Sequence, residues 1–236
     1  MRDGTPLIQR LRAVYRHPDF ENAIGAKLKR PGEDYVSVAR VLNVWPNFSR
    51  LGVVKGITKD FAFVSPIEYQ SIEPYAEQLL TEGKKPFILA LDRITDVRNF
   101  GAIARTAACA GAHGILVPEK GSAPLSADAV RTSAGALMKI PVCRTQSLYG
   151  SIKMLKNSGV KIVGATEKTS EVLFDADLTG PIAIVLGDEE TGLSVDTWKL
   201  CDAHVKIPLS AKGVGSLNVS VAAGVITYEV VRQRAK

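Results

Sequence analysis

The stretch Phe87–Pro118, FILALDRITDVRNFGAIARTAACAGAHGILVP, decides the fold. It opens on an apolar run, FILALD, and closes on another, GILVP. Between them lies a segment rich in small residues with helical periodicity. The same alternation continues through IPVCR (140–144), KIVGAT (161–166), IAIVLG (182–187) and HVKIPL (204–209). Such short, nearly continuous apolar strands, separated by lengths that admit helices, predict a parallel sheet covered on both faces. The expected class is therefore α/β, a three-layer architecture spanning residues 87–236.

Residues 1–86 read as a smaller α+β region. A basic helical start carries Ile8, Leu11 and Val14 on one side, YVSVARV (35–41) alternates like a strand, and a helix is expected near Glu73 to Leu80. Pro31-Gly32 and Trp45-Pro46-Asn47 mark turns. The polar TEGKKP (81–86) is the expected boundary. Each part carries a net charge of +3, but the first thirty residues alone hold seven basic and three acidic groups. A total of +6 is compatible with a polyanionic partner and does not require one.

With 236 residues, 46% apolar composition and a mean hydropathy of +0.07, the chain can bury one full core and a small second module. Cys109, Cys143 and Cys201 are odd in number and lack CxxC spacing, which argues against a disulfide framework or a zinc site and for a reducing cytoplasm. His17, His113 and His204 are equally scattered, so no metal is implied. Neither a secretory signal nor a membrane span is expected: charges punctuate the first twenty residues, and no later run reaches about 18 apolar residues.

Three glycine-marked segments could carry chemistry. In the first, Asn99 opens a helix of small residues with Arg105 six positions on; Asn is a good N-cap, and capping with tight packing accounts for Asn99 and Gly101. Arg105 is not so explained. Its neighbours Ala104, Thr106, Ala107 and Ala108 are small, and a planar guanidinium presented there suits a phosphate. In the second, IAIVLGDEETGLS (182–194), an apolar strand breaks at Gly187, and Ser194 can cap the next helix. Loops at the carboxyl ends of parallel strands are where open α/β sheets bind ligands, and glycine there lets a ligand reach the main chain; a plain turn is the competing explanation. In the third, a strand ending in Ile207-Pro208-Leu209 passes the loop Ser210–Gly215 into Ser216-Leu217-Asn218, followed by a slim helix beginning Val219-Ser220-Val221-Ala222-Ala223-Gly224. A slim helix is what close packing on all sides demands. No Walker loop or GxGxxG is present.

Together and in this order, NFGAIAR, GDEETGLS and IPL with SLNVSVAAG resemble the three motifs of the SpoU (TrmH-like) family of SPOUT methyltransferases. The resemblance covers residues 87–234, including VRTSAGALMKIPV (130–142). It implies a parallel α/β fold with a carboxyl-terminal trefoil knot, a homodimer, and S-adenosylmethionine bound in the knot. The implied activity is methylation of a ribose 2′-hydroxyl in tRNA or rRNA, with no metal. By the same resemblance Asn99 and Arg105 belong to the reaction centre, Glu189 supports it, and Ser216 and Asn218 lie near cofactor and substrate. Gly187, Ile207 and Leu217 hold the cofactor through their backbones, and Thr166 is a wall of its pocket. Asp188 and Glu190 receive no role. Residues 1–86 could hold an RNA-binding module, although no motif marks one.

Arg105 is expected to grip the target phosphate and favour alkoxide character, since a guanidinium is seldom a free base. Two other readings stay open: a SPOUT-like RNA-binding protein without catalysis, and a nucleotide-dependent α/β enzyme acting on a small metabolite. The first predicts RNA binding without methyl transfer. The second is disfavoured by the missing phosphate loops.

Overall fold

The computed structural model describes residues 69–210 and 215–235. The basic opening helix, the YVSVARV strand and the turns at Pro31-Gly32 and Trp45-Pro46-Asn47 lie outside them. All six expected strands form: β1 (Phe87–Leu91), β2 (Gly114–Pro118), β3 (Val142–Thr145), β4 (Lys161–Ala165), β5 (Ile182–Leu186) and β6 (Ala203–Val205). They make one parallel sheet in the order β3-β2-β1-β5-β4-β6. β1 and β5 are central, pair with each other and are buried at every position, which is why FILAL and IAIVL show no polar alternation.

Helices cover both faces. Against one face pack α1 (Ile72–Thr81) and α4 (Leu148–Asn157), joining Ile72, Ala76, Ile152 and Leu155 to Ile88, Ala90, Leu116 and Val185 of the strands. Strand side chains alternate, so Leu89, Ile115 and Ile184 point to the opposite face. That side carries α2 (Val97–Cys109) and α6 (Val219–Arg234), which touch each other. Among the described residues two short helices complete the set, α3 (Ala127–Thr132) and α5 (Val195–Leu200). A Cβ on Gly101 of α2 would lie 2.8 Å from the Ala129 carbonyl oxygen and 2.7 Å from Thr132 Cβ, so that position needs its glycine for helix packing.

Three expectations are corrected. The cap of α2 is Asp96, whose Oδ1 accepts hydrogen bonds from the amides of Arg98 (2.6 Å) and Asn99 (3.0 Å). An aspartate there satisfies two orphan donors and complements the helix dipole, so the Asn99 side chain is not needed for capping. The last strand ends at Val205 rather than Leu209. Lys206 makes only an isolated bridge to Val172, and Pro208 has no N–H to extend a ladder, so Ile207–Leu209 runs free beyond the sheet.

The third correction concerns TEGKKP. It is a turn, with Gly83 at φ 70° and the Lys84 amide donating to the Leu79 carbonyl (3.0 Å). The helix before it is fastened to the sheet. Ile72, Ala76 and Leu79 are buried, the Gln70 amide donates to the Val142 carbonyl (3.0 Å), and Arg144 N donates to Gln70 O (3.2 Å). Among the described residues the compact unit built on the sheet already includes α1, so the division expected at 86/87 falls inside it.

The amino ends of the strands are closed. Arg234 donates to the carbonyls of Lys85 (3.1 Å), Pro86 (3.2 Å) and Gly180 (2.6 Å) and lies 5.2 Å over the Phe87 ring. His113 Nδ1 accepts from the Phe87 amide (3.1 Å), and Tyr75 donates its hydroxyl to the His113 carbonyl (2.6 Å). The carboxyl ends are open.

Candidate active site at the carboxyl ends of the strands

β5 leaves the sheet at Gly187. A Cβ there would stand 2.3 Å from the carbonyl carbon of Gly192 and 2.5 Å from the Leu193 amide nitrogen. The demand for glycine thus comes from the chain doubling back on itself, a cause the sequence reading did not consider. The loop between is a tight turn closed by Asp188, which received no role from the sequence. Its Oδ1 accepts from the amides of Thr191 (3.0 Å) and Glu190 (3.1 Å) and from the Thr191 hydroxyl (3.0 Å), while Gly192 N donates to Asp188 O (2.9 Å). The Thr191 amide, foremost among these groups, holds the Asp188 carboxyl below the ordinary range of its type.

This loop is tied to the end of β1. Buried Asp92 accepts from the Ser194 amide (2.7 Å) through Oδ2 and from Arg93 Nε (3.3 Å) through Oδ1, and Arg93 Nη2 donates to the Gly192 carbonyl (2.8 Å). Arg93 sits at φ 62°, a left-handed conformation that costs a non-glycine residue about 1 kcal/mol or more. Ser194 caps α5, as expected.

The loop carries Glu189 to the open end. Its Oε1 accepts three N–H groups, from Asn218 Nδ2 (2.6 Å), Asn99 Nδ2 (3.1 Å) and the Val219 amide (3.1 Å). Asn218 also donates to Asn99 Oδ1 (3.0 Å). As the N-cap of α6, Asn218 must turn its Oδ1 toward the Ser220 amide (3.0 Å), and this fixes its Nδ2 on the other two residues. The three glycine-marked segments therefore meet on one carboxylate oxygen.

Beside the cluster opens a solvent-facing cleft. Thr166 follows β4, Gly187 and Glu189 follow β5, Ile207 follows β6, and Ser216 and Leu217 precede α6; all six line it. Leu186, Val205 and Ile226 make its walls apolar. Among the described residues the main chain of Ile207 and of Leu217 has no hydrogen-bond partner. Asn99 and Asn218 are joined to the cleft through Glu189.

Arg105 stands apart. Six residues at 100° each turn it about 120° around α2 from Asn99, and it lies about 9 Å farther along the axis. It is exposed, and no described residue pairs with it. Sequence reasoning missed Asp92, Arg93 and Asp188. The signal available was a charged pair, Leu91-Asp92-Arg93, at the end of an otherwise apolar buried strand.

Comparison with known proteins follows the same outline. The sequence model of the SpoU rRNA Methylase family matches residues 86–228. A 23S rRNA (guanosine-2′-O-)-methyltransferase RlmB from Burkholderia sp. is 38% identical over 189 residues, covering 80% of this chain and 76% of that protein. An uncharacterized tRNA/rRNA methyltransferase from Mycobacterium sp. (strain KMS) is 40% identical over 171 residues, 72% of this chain. The match spans about half of that mycobacterial relative, 54% of its length. Among solved structures, the SpoU methyltransferase AviRb from Streptomyces viridochromogenes in complex with AdoMet is similar with a TM-score of 0.59 and 34% identity, covering 64% of this chain and 61% of that one. The AdoMet-bound rRNA methyltransferase from Sinorhizobium meliloti is similar at a TM-score of 0.63 and 29% identity, covering 70% of this chain and 61% of that one.

Proposed function

This chain belongs to the SpoU rRNA methylase family, and from that premise we propose that it methylates a ribose 2′-hydroxyl of tRNA or rRNA. The observation that carries the reading is the meeting of Asn99, Glu189 and Asn218 beside a cleft built from three strand ends and the start of α6. The cleft fits S-adenosylmethionine. Its apolar walls suit a flat adenine, the main chain of Ile207 and Leu217, unpaired among the described residues, offers donors and acceptors for the ring edge, and Glu189 supplies negative charge to complement a sulfonium. When bound, S-adenosylmethionine supplies the electrophilic methyl group.

The chain's own residues do the rest. Glu189 Oε1 is saturated by its three donors, so Oε2 and the second N–H of Asn99 remain for the substrate. We assign Glu189 Oε2 to accept the proton of the attacking hydroxyl and to orient its oxygen, because orientation supplies much of the acceleration in a methyl transfer. Ser216, Thr166 and Gly187 bound the cleft. Arg105, exposed on α2 away from the Glu189 cluster, is the group to grip a phosphate of the RNA; its guanidinium stays protonated and is not the base.

The rest of the reading has its own supports. A homodimer is supported by Val221, Val225 and Tyr228, an apolar stripe at i, i+4 and i+7 along α6 of which Val221 and Tyr228 are exposed. The carboxyl-terminal knot of the proposed fold is supported by membership of the SpoU family. A reducing cytoplasm is supported by three free cysteines, and the basic first thirty residues would extend the grip on RNA.

The test is transfer of labelled methyl from S-adenosylmethionine to RNA, read as alkali-resistant dinucleotides. Arg105→Ala should reduce turnover about ten- to a hundredfold, the equivalent of a lost charge-assisted hydrogen bond of roughly 1.5–3 kcal/mol, with cofactor affinity and folding intact. Arg105→Lys should rescue poorly because it lacks the paired planar donors. RNA binding without transfer would favour the non-catalytic alternative, and failure to bind the cofactor would overturn the reading.

A further inference from the structure

The Glu189 cluster depends on a loop whose position is set from outside the cleft. Asp92 and Arg93, the two residues that follow β1, contact this loop at Ser194 and Gly192 and do not line the cleft themselves. Asp92 lies buried at the end of a fully paired central strand and has little freedom to move. Arg93 adopts a backbone conformation that favours glycine, yet keeps a long side chain whose guanidinium ends on the Gly192 carbonyl. Strain tolerated at a residue whose side chain makes a specific long-range contact points to a use for that contact.

Resting on the methyltransferase reading above, we propose that Asp92 and Arg93 are positioning residues, a brace that fixes the Asp188–Gly192 turn on β1. Through it they place the Glu189 carboxylate between Asn99 and Asn218. The chain of contacts is continuous. Arg93 holds the Gly192 carbonyl, the Gly192 amide donates back to Asp188 O, Asp188 closes the turn around Glu190 and Thr191, and Glu189 within that turn holds Asn99, Asn218 and the Val219 amide. The pair also joins the two halves of the site, since the residues after β1 run on to Asn99 while the braced loop carries its partner. Arg93 touches neither substrate nor cofactor in this scheme.

Arg93→Gly separates the roles, because glycine is at ease at φ 62° and the fold should not suffer. The full chain and its Arg93→Gly and Arg93→Lys variants are compared for thermal midpoint, S-adenosylmethionine affinity, kcat on RNA, and hydrogen exchange at the Val219 amide. That amide sits in the first turn of α6, where no helical carbonyl can protect it, so its protection reports the Glu189 contact directly. Arg93→Gly should keep or raise the thermal midpoint, hold cofactor affinity within about threefold and lower kcat about ten- to a hundredfold. Val219 exchange should be faster, and Arg93→Lys, which still carries a donor for the carbonyl, should recover part of both losses.

Wild-type kcat with unchanged Val219 exchange in Arg93→Gly would overturn the brace. So would a loss confined to cofactor affinity, or an unfolded variant, which would make Arg93 a residue of the fold. A wild-type protein that binds S-adenosylmethionine but methylates no RNA would instead remove the methyltransferase reading, and the Val219 exchange would still decide the brace.

Discussion

Three N–H groups on a single oxygen of Glu189 make that side chain the hub of the site. Around it, what the sequence revealed depended on how local each residue's task is. Asn99, Glu189 and Asn218 stand in segments whose glycines and small residues mark them. Asp188 and Arg93 act on the main chain of the same loop or of one 99 positions away, and neither task alters the local pattern. Gly187 was recognised for an incomplete reason, since its missing Cβ is required by the peptide that returns onto it five residues later, a fold-back that composition does not reveal. Gly187→Ala is therefore expected to destabilise the protein by about 1–3 kcal/mol, as overpacking a tight contact does. The measurement is urea unfolding, and a wild-type midpoint would show that the loop swings clear at no energetic penalty.

At the level of elements, α6 serves both ends of the sheet. Its first turn holds the cluster through Asn218 and Val219, and its last turn clamps Lys85, Pro86 and Gly180 through Arg234. Beside that clamp, burial, with the nearby charges of Arg234 and Lys84, lowers the pKa of His113 from 6.5. The unfolded imidazole binds a proton below about pH 6.5, whereas the folded one resists until lower pH; unfolding there takes up a proton, and stability rises with pH across that window. The thermal midpoint should fall from neutral pH toward about pH 5, and His113→Gln, which keeps an acceptor for the Phe87 amide, should flatten that slope. An unchanged slope in the variant would assign the effect to other groups. Burial also pushes the thiols of Cys143 and Cys201 up to about 12, so both remain unreactive across this range.

For the molecule as a whole, the parallel sheet was legible because central strands covered on both faces must be apolar throughout. Strand order was not, since short parallel strands of similar composition carry no mark of their neighbours. The mistaken boundary at residue 86 arose because a helix cap and a linker share the same polar, glycine-containing composition. The homodimer is a claim at this scale: light scattering at micromolar concentration should return twice the 25.3 kDa chain mass, and Tyr228→Glu, placing a charge on the exposed stripe of α6, should shift it toward one copy. A wild-type mass of a single chain would remove it.

The hydrogen bonds that define the site join residues 90 and 119 positions apart. Closing such long loops demands much chain entropy, so these contacts form only when most of the surrounding fold is already in place. A chain with its sheet assembled but α6 undocked would pass for folded by its secondary structure while lacking any ligand cleft. Ligand capture is thus a test of complete folding, and mass action makes ligand supply part of the protein's stability: a free concentration of a hundred times Kd adds about 2.7 kcal/mol. When the ligand grows scarce, the carboxyl-terminal helix and the cleft it closes lose that support together.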